Sequence, residues 1–370
     1  MRIGLDLRLP TYRMGGISQY AIHLVQGLAE LATGEDEFLI FHSRKEGRTF
    51  LPDHPAFSRH DLWTPCHHRL ERYALAAELS PFRLDVWHSP DFIPPVAGAK
   101  RRVITVHDLA FLRLPQFLTD ESRRYYNDQI GWAVRVSDAI AADSNATRSD
   151  ILERLDTDPG KVRTIYLAAN PIFEADVSAE SVAATLARHG LEAGYILCVG
   201  TLEPRKNIPM LLRAYAMLRA GHGVTVPLVL AGARGWLDDE IFTTIRDLSL
   251  EAHVCHLAGL SDADLARLYH GAGVLAAPST YEGFGLPPLE AMHCGCPIVA
   301  SDGGSLPEVV GEAGLLVSPD SPADWAVALA RVLDDRDERN RLVAAGRVQA
   351  RRFTWRRTAE QTLALYRGDA

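Results

Sequence analysis

Glu282 and Glu290 stand eight positions apart, on either side of the run Gly283-Phe284-Gly285-Leu286-Pro287-Pro288-Leu289. The first carboxylate precedes a glycine-flanked loop that can aim backbone N–H groups at a ligand. The second falls inside the following helix, where a carboxylate packed toward a sheet needs a polar partner, and ribose hydroxyls would be one. A second cluster lies upstream in Gly200-Thr201-Leu202-Glu203-Pro204-Arg205-Lys206-Asn207. Two adjacent cations on a loop can neutralise a departing diphosphate. Gly15 and Gly16 open a helix, and glycines at a helix start allow phosphate to approach free N–H groups. His107-Asp108 follows the apolar run that ends in Thr105-Val106. Each motif also has an ordinary reading: solvated carboxylates around a turn, a basic turn, a glycine entry to a helix, a loop histidine capping backbone.

The elements that must carry these residues alternate short apolar runs with amphipathic stretches, the pattern of βαβ units and parallel sheets. Strands are expected at 3–7, 37–42, 86–88, 102–106, 139–142 and 161–165. A second series runs through 195–199, 228–231, 254–257, 274–277, 298–301 and 314–317. Helical periodicity fits 17–32, 122–136 and 146–155, then 210–220, 239–250, 262–271, 288–293 and 323–333. Two series predict two doubly wound α/β domains, 1–170 and 171–353, with Ala169-Asn170-Pro171 as the junction. Ligands of open α/β sheets bind beyond the carboxyl ends of the strands, so a cleft faced by both domains is the expected site.

Composition narrows the classes. Of the 370 residues, 47% are hydrophobic and 23% charged, ordinary for a chain that builds its own cores. Residues 1–170 carry 21 basic against 22 acidic residues and the remainder 18 against 25, which disfavours a nucleic-acid binder. Five cysteines without a disulfide rhythm suit a reducing, cytoplasmic compartment. His293, Cys294 and Cys296 lack a second pair at zinc spacing and read as small buried residues near a helix end. The start of the chain reads as a strand and not as a signal peptide, and no run is long enough to span a membrane.

Taken together, the motifs resemble those of family 4 retaining glycosyltransferases of the GT-B fold, also described as glycosyl transferases group 1. Glu282 to Glu290 is similar to that family's Glu-x7-Glu motif, and Gly15-Gly16, Thr105-Val106-His107-Asp108, Gly200 to Asn207, Leu257-Ala258-Gly259 and Ala300 to Gly304 follow in the family's order. The resemblance implies two Rossmann-like domains facing a cleft, an acceptor-side domain first and a nucleotide-sugar domain second. It implies that a last helix, 354–370, crosses back to the first domain. It also implies roles: Glu282 for the transferred sugar's hydroxyls, Glu290 for the donor ribose, and the backbone of Phe284, Gly285 and Leu286 for sugar and phosphate. Arg205 and Lys206 would bind the diphosphate, Gly16 would approach it, His107 would bond the donor sugar, and the backbone of His256 to Gly259, through Leu257, would cradle the base. Many relatives carry arginine where this chain has Thr201, and Arg205 is the expected replacement.

The expected reaction is transfer of a hexose, mannose favoured, from a nucleotide-diphosphate sugar to a saccharide, lipid-linked glycan or small-molecule acceptor, in polysaccharide or glycoconjugate assembly. No metal or other cofactor is expected, because Arg205, Lys206 and the helix after Gly285 would carry the charge of the leaving diphosphate. A nucleotide-sugar hydrolase or epimerase on the same fold is the alternative, and a non-catalytic two-domain binding protein the third reading. His88-Ser89-Pro90 with Asp91 and Phe92 is either an acceptor-side lining or a structural turn. His67-His68 and the helix-like 69–79 read as a solvated amphipathic face before they read as a peripheral membrane contact.

Overall fold

The computed structural model describes residues 1–12, 14–117 and 120–369. The chain divides into two compact units, Met1–Ala168 with Phe353–Ala370, and Ala169–Arg352.

In the first unit the strands are β1 (Arg2–Leu7), β2 (Glu37–Ser43), β3 (Phe57–Leu62), β4 (Leu84–Ser89), β5 (Ala99–Val106), β6 (Ala139–Ala142) and β7 (Val162–Thr164). Among the described residues they form one sheet in the order β3-β2-β1-β4-β5-β6-β7, with every neighbour parallel. The order reverses between β1 and β4, so the loops leaving those two strands part to opposite faces and open a crevice at their carboxyl ends. β6 is buried at every position, as a strand covered by helices on both faces must be. Helix Trp355–Arg367 packs on helix Gly16–Leu31, where a side-chain carbon at Gly27 would lie 2.9 Å from the Trp355 carbonyl oxygen. Its Thr358 hydroxyl donates to the Tyr166 carbonyl at 2.7 Å, and Arg367 pairs with Asp36.

The second unit repeats the plan with β8 (Ile196–Val199), β9 (Leu228–Ala231), β10 (Val254–Leu257), β11 (Val274–Ala277), β12 (Ile298–Ser301) and β13 (Gly314–Val317). The order is β10-β9-β8-β11-β12-β13, again parallel throughout, and the reversal falls between β8 and β11. Helix Ile208–His222 and helix Pro322–Asp334 supply Leu211, Leu212, Tyr215, Leu218, Trp325 and Leu329 to the core on one face of this sheet. Burial of such side chains contributes about 1.5–3 kcal/mol each.

The expected strands form, and three elements beyond them have weak sequence signals. β3, Phe-Ser-Arg-His-Asp-Leu, is an edge strand paired only with β2, so its polar middle needs no burial. Helix Arg336–Ala350 buries only a narrow stripe of Glu338, Leu342, Gly346 and Ala350. Helix Ala179–Arg188 buries Thr185 and Leu186 and starts at a Ser178 cap. Helix 286–293 begins two residues before the expected Pro288, since prolines are tolerated in a first turn.

Candidate functional site

At the reversal of the second sheet, the loop after β8 and the loop after β11 meet. The first brings Arg205 and Lys206, the second Glu282. Arg205 Nη1 donates to Glu282 Oε2 at 2.6 Å and to the Tyr281 carbonyl at 3.0 Å. Lys206 Nζ donates to Glu282 Oε1 at 2.6 Å, and the Ser279 hydroxyl donates to the same oxygen at 2.6 Å. Behind them, Arg205 Nη2 reaches Glu203 Oε1 at 2.7 Å. Two cations therefore face two carboxylates, and the cluster is neutral as folded. Burial would raise the Glu282 carboxyl, but Arg205 and Lys206 outweigh it and hold the group down at about 2. Arg205 and Lys206 retain 20% and 12% side-chain exposure, so the cluster has an open flank.

Two glycines make this packing possible. Gly200, at φ +141°, leaves room for the Lys206 stem, which a Cβ would meet at 2.8 Å. Gly304, at φ +60°, lies so close to the Glu282 backbone that a Cβ would stand 2.4 Å from its carbonyl oxygen. Ser305 then ties the loop down: its hydroxyl donates to the carbonyls of Glu282 and Phe284.

Gly285 caps helix Leu286–His293 at φ +102° and makes no side-chain cap hydrogen bond. Phe284 is buried, so what its position offers outward is backbone. One turn into the helix, Glu290 Oε2 accepts the Tyr269 hydroxyl at 2.8 Å. Burial pushes the Glu290 carboxyl up to about 7, Asp262 adds to the rise, and Tyr269 and Lys206 oppose it. Leu257 ends β10, and its carbonyl accepts the Gly232 N–H at 2.8 Å. Leu286, Glu290, Arg205, Lys206 and Glu282 thus share one unit.

Gly15, Gly16 and His107 belong to the first unit. Gly15 caps helix Gly16–Leu31 in an extended conformation, and open space surrounds the position a Gly16 side chain would take. His107, beyond β5, keeps 17% side-chain exposure. Its Nδ1 lies 2.6 Å from Asp143 Oδ2, and its Nε2 2.7 Å from the Pro90 carbonyl oxygen. The Tyr20 ring meets its face edge-on at 5.0 Å.

His88 is wholly buried, with Nδ1 2.6 Å from the Tyr366 hydroxyl and Nε2 2.8 Å from the Thr105 hydroxyl. It is a structural residue. Ser89, Pro90 and Asp91 instead line a small recess of about 20 Å³ beside Asp6, Cys66, His67 and Glu71. His67 Nε2 lies 2.6 Å from Asp91, and the residue stays exposed.

Two family profiles cover most of the chain: Glycosyltransferase Family 4 over residues 14–171 and Glycosyl transferases group 1 over residues 187–349. O-antigen chain mannosyltransferase B of Escherichia coli is 32% identical across 96% of this chain and 97% of its own length. The chain belongs to the family 4 glycosyltransferases. Sucrose-phosphate synthase of Thermosynechococcus elongatus superposes with a TM-score of 0.76 over 99% of this chain and 98% of that one, at 23% identity. HepE of Anabaena, solved with UDP-glucose, superposes with a TM-score of 0.74 over 98% and 99%, at 18% identity. These two show the two-unit α/β fold of this glycosyltransferase. No helix among its described residues is long and apolar enough to cross a membrane.

Several residues of these clusters escaped the sequence reading. Asp143 directly follows the all-apolar β6, a position from which a carboxylate projects at a carboxyl edge, and that signal was available. Ser279, Glu203 and Tyr269 act only through contacts with residues distant in sequence, and nothing in their local pattern distinguishes them.

Proposed function

We propose that this glycosyltransferase is a retaining enzyme that moves a hexose, mannose by preference, from a nucleoside-diphosphate sugar to a saccharide or lipid-linked glycan in polysaccharide assembly. The observation that carries the reading is the Arg205–Lys206–Glu282 cluster at the sheet reversal, in a chain similar over nearly its whole length to an O-antigen mannosyltransferase. As the bond between C1 and the leaving phosphate oxygen breaks, charge builds on the diphosphate. Arg205 and Lys206 are the cations placed to receive it, exchanging part of their hold on Glu282. The acceptor hydroxyl attacks C1 from the same face, and its proton passes to the departing phosphate oxygen. Glu282 orients sugar hydroxyls. With both oxygens engaged by cations and Ser279, it is too weakly basic to serve as the nucleophile.

Glu290, with a carboxyl near neutrality, suits a ribose diol, since it can accept or donate. His107 serves the donor sugar, and Gly15-Gly16 its phosphates. Trp63, Leu70 and Tyr73 are exposed, with the Arg44 guanidinium 3.5 Å over the Trp63 ring. That combination supports peripheral contact with an anionic membrane bearing the acceptor.

The test is incubation with GDP-mannose, UDP-sugars and ADP-sugars, with and without a mannoside acceptor, reading the anomeric configuration of the product by NMR. Transfer with retained configuration is expected. Donor loss at full rate without acceptor would mean a hydrolase, and tight binding without any product would mean a binding protein.

A further inference from the structure

His107 has its two ring nitrogens against two acceptors. The Pro90 carbonyl has no hydrogen to give, so Nε2 must carry one. Asp143 faces Nδ1 from the end of β6 with Oδ2, while its Oδ1 is buried without a hydrogen-bond partner, leaving the imidazole as this carboxylate's hydrogen-bonded charge partner. A buried carboxylate with one such partner is tolerated when that partner is a cation.

We propose that Asp143 is a positioning residue that keeps His107 an imidazolium, with Nδ1–H committed to Asp143 and Nε2–H held ready on the Pro90 carbonyl. A substrate oxygen takes that proton-bearing nitrogen over from Pro90. His107 then meets its substrate as a charged donor and never as a base. The partner this selects is an electron-rich oxygen, a donor hydroxyl or a phosphate oxygen. No bond to hydrogen is broken, because Nε2–H passes from one acceptor to another. The inference rests on the reading that His107 serves the donor.

The groups facing the ring agree in sign. Asp143 lies beyond β6 and Asp91 beyond β4, and both favour the cation; Asp108, next in the chain, adds negative charge beside Asp143. His88, at the end of β4, is pushed down to about 3 by burial and by His107, so it stays neutral and adds no competing charge. Tyr20, on helix Gly16–Leu31, is buried and its hydroxyl stays protonated. Burial works against the cation, yet Asp143, with Asp91 and the Pro90 carbonyl, outweighs it and carries His107 up to about 9.

The experiment is ¹⁵N NMR of the imidazole nitrogens in the whole protein, with His107→Gln for assignment, followed by pH–rate profiles of the unaltered protein and Asp143→Asn. Expected is a doubly protonated His107 ring at pH 7.5, and transfer that persists until pH approaches 9. In Asp143→Asn, kcat should fall about 100-fold with KM little changed, and the remaining activity should decline above the ordinary histidine range. A neutral tautomer at pH 7.5 in the unaltered protein overturns the proposal, and that spectrum needs no variant to fold. So does an Asp143→Asn profile that matches the unaltered protein. Absence of transfer from every nucleotide-sugar, with the doubly protonated ring observed, would sink the functional reading and leave the protonation intact.

Discussion

Arg205 and Lys206 in the second unit and His107 in the first all place positive charge at the carboxyl end of a parallel sheet, yet they are held differently. The second-unit cations share two carboxylates and keep an open flank, so an incoming anion can replace one partner by another at little cost. His107 has a similar side-chain exposure, 17%, but is tied to one carboxylate and one carbonyl, and its charge is fixed before any ligand arrives. The same strand order thus yields an exchangeable cluster in one unit and a committed ion pair in the other. The difference lies in which side chains surround the cations, since the loops leave both sheets by the same rule.

The double variant Arg205→Ala/Lys206→Ala puts the exchangeable cluster to the severest test. Turnover should drop by about 1,000-fold or more, because each preorganised donor is worth about 100- to 1,000-fold; near-normal kcat would remove both residues from the chemistry. Glu282→Gln should cost about 3 kcal/mol of stability, since it leaves a buried cation without its countercharge. Thermal unfolding at pH 7 measures this, and an unchanged Tm would mean the pairs add nothing.

Titration sharpens the comparison within the second unit, because its two glutamates shift in opposite directions. Glu282 lies below its ordinary value of 4.5, so its contribution is complete above pH 4.5 and disappears as pH falls toward 2. Glu290 lies above 4.5, so its contribution is complete below pH 4.5 and is lost as pH rises through 7. Tm measured against pH should therefore flatten on the acid side in Glu282→Gln and between pH 5 and 8 in Glu290→Gln. Identical curves for the two variants would contradict the assignment. The smallest expected effect belongs to Tyr366→Phe, which removes one hydrogen bond to His88 and should cost about 1 kcal/mol.

The strand–helix alternation was legible because a parallel strand covered on both faces must be apolar throughout, as β6 and β9 are. β3 was not, since an edge strand can keep Arg59, His60 and Asp61 in its middle. In the site, Glu282, Glu290, Arg205 and Lys206 were visible from spacing and loop position. What joins them was not: Ser279 and Glu203 become significant only when two loops meet at the sheet reversal. His107 was picked out, but its orientation was hidden, because Asp143 lies just beyond the next strand and Pro90 on the loop after β4.

Helix Trp355–Arg367 completes the first unit, while the second unit is one unbroken stretch of chain. On the ribosome, the first unit is made early but lacks Tyr366 for His88 and a cover for Gly27 until residues 355–367 have been added. The second unit has all its residues before that helix emerges. During synthesis, the order in which the two units can finish folding is the reverse of the order in which they begin.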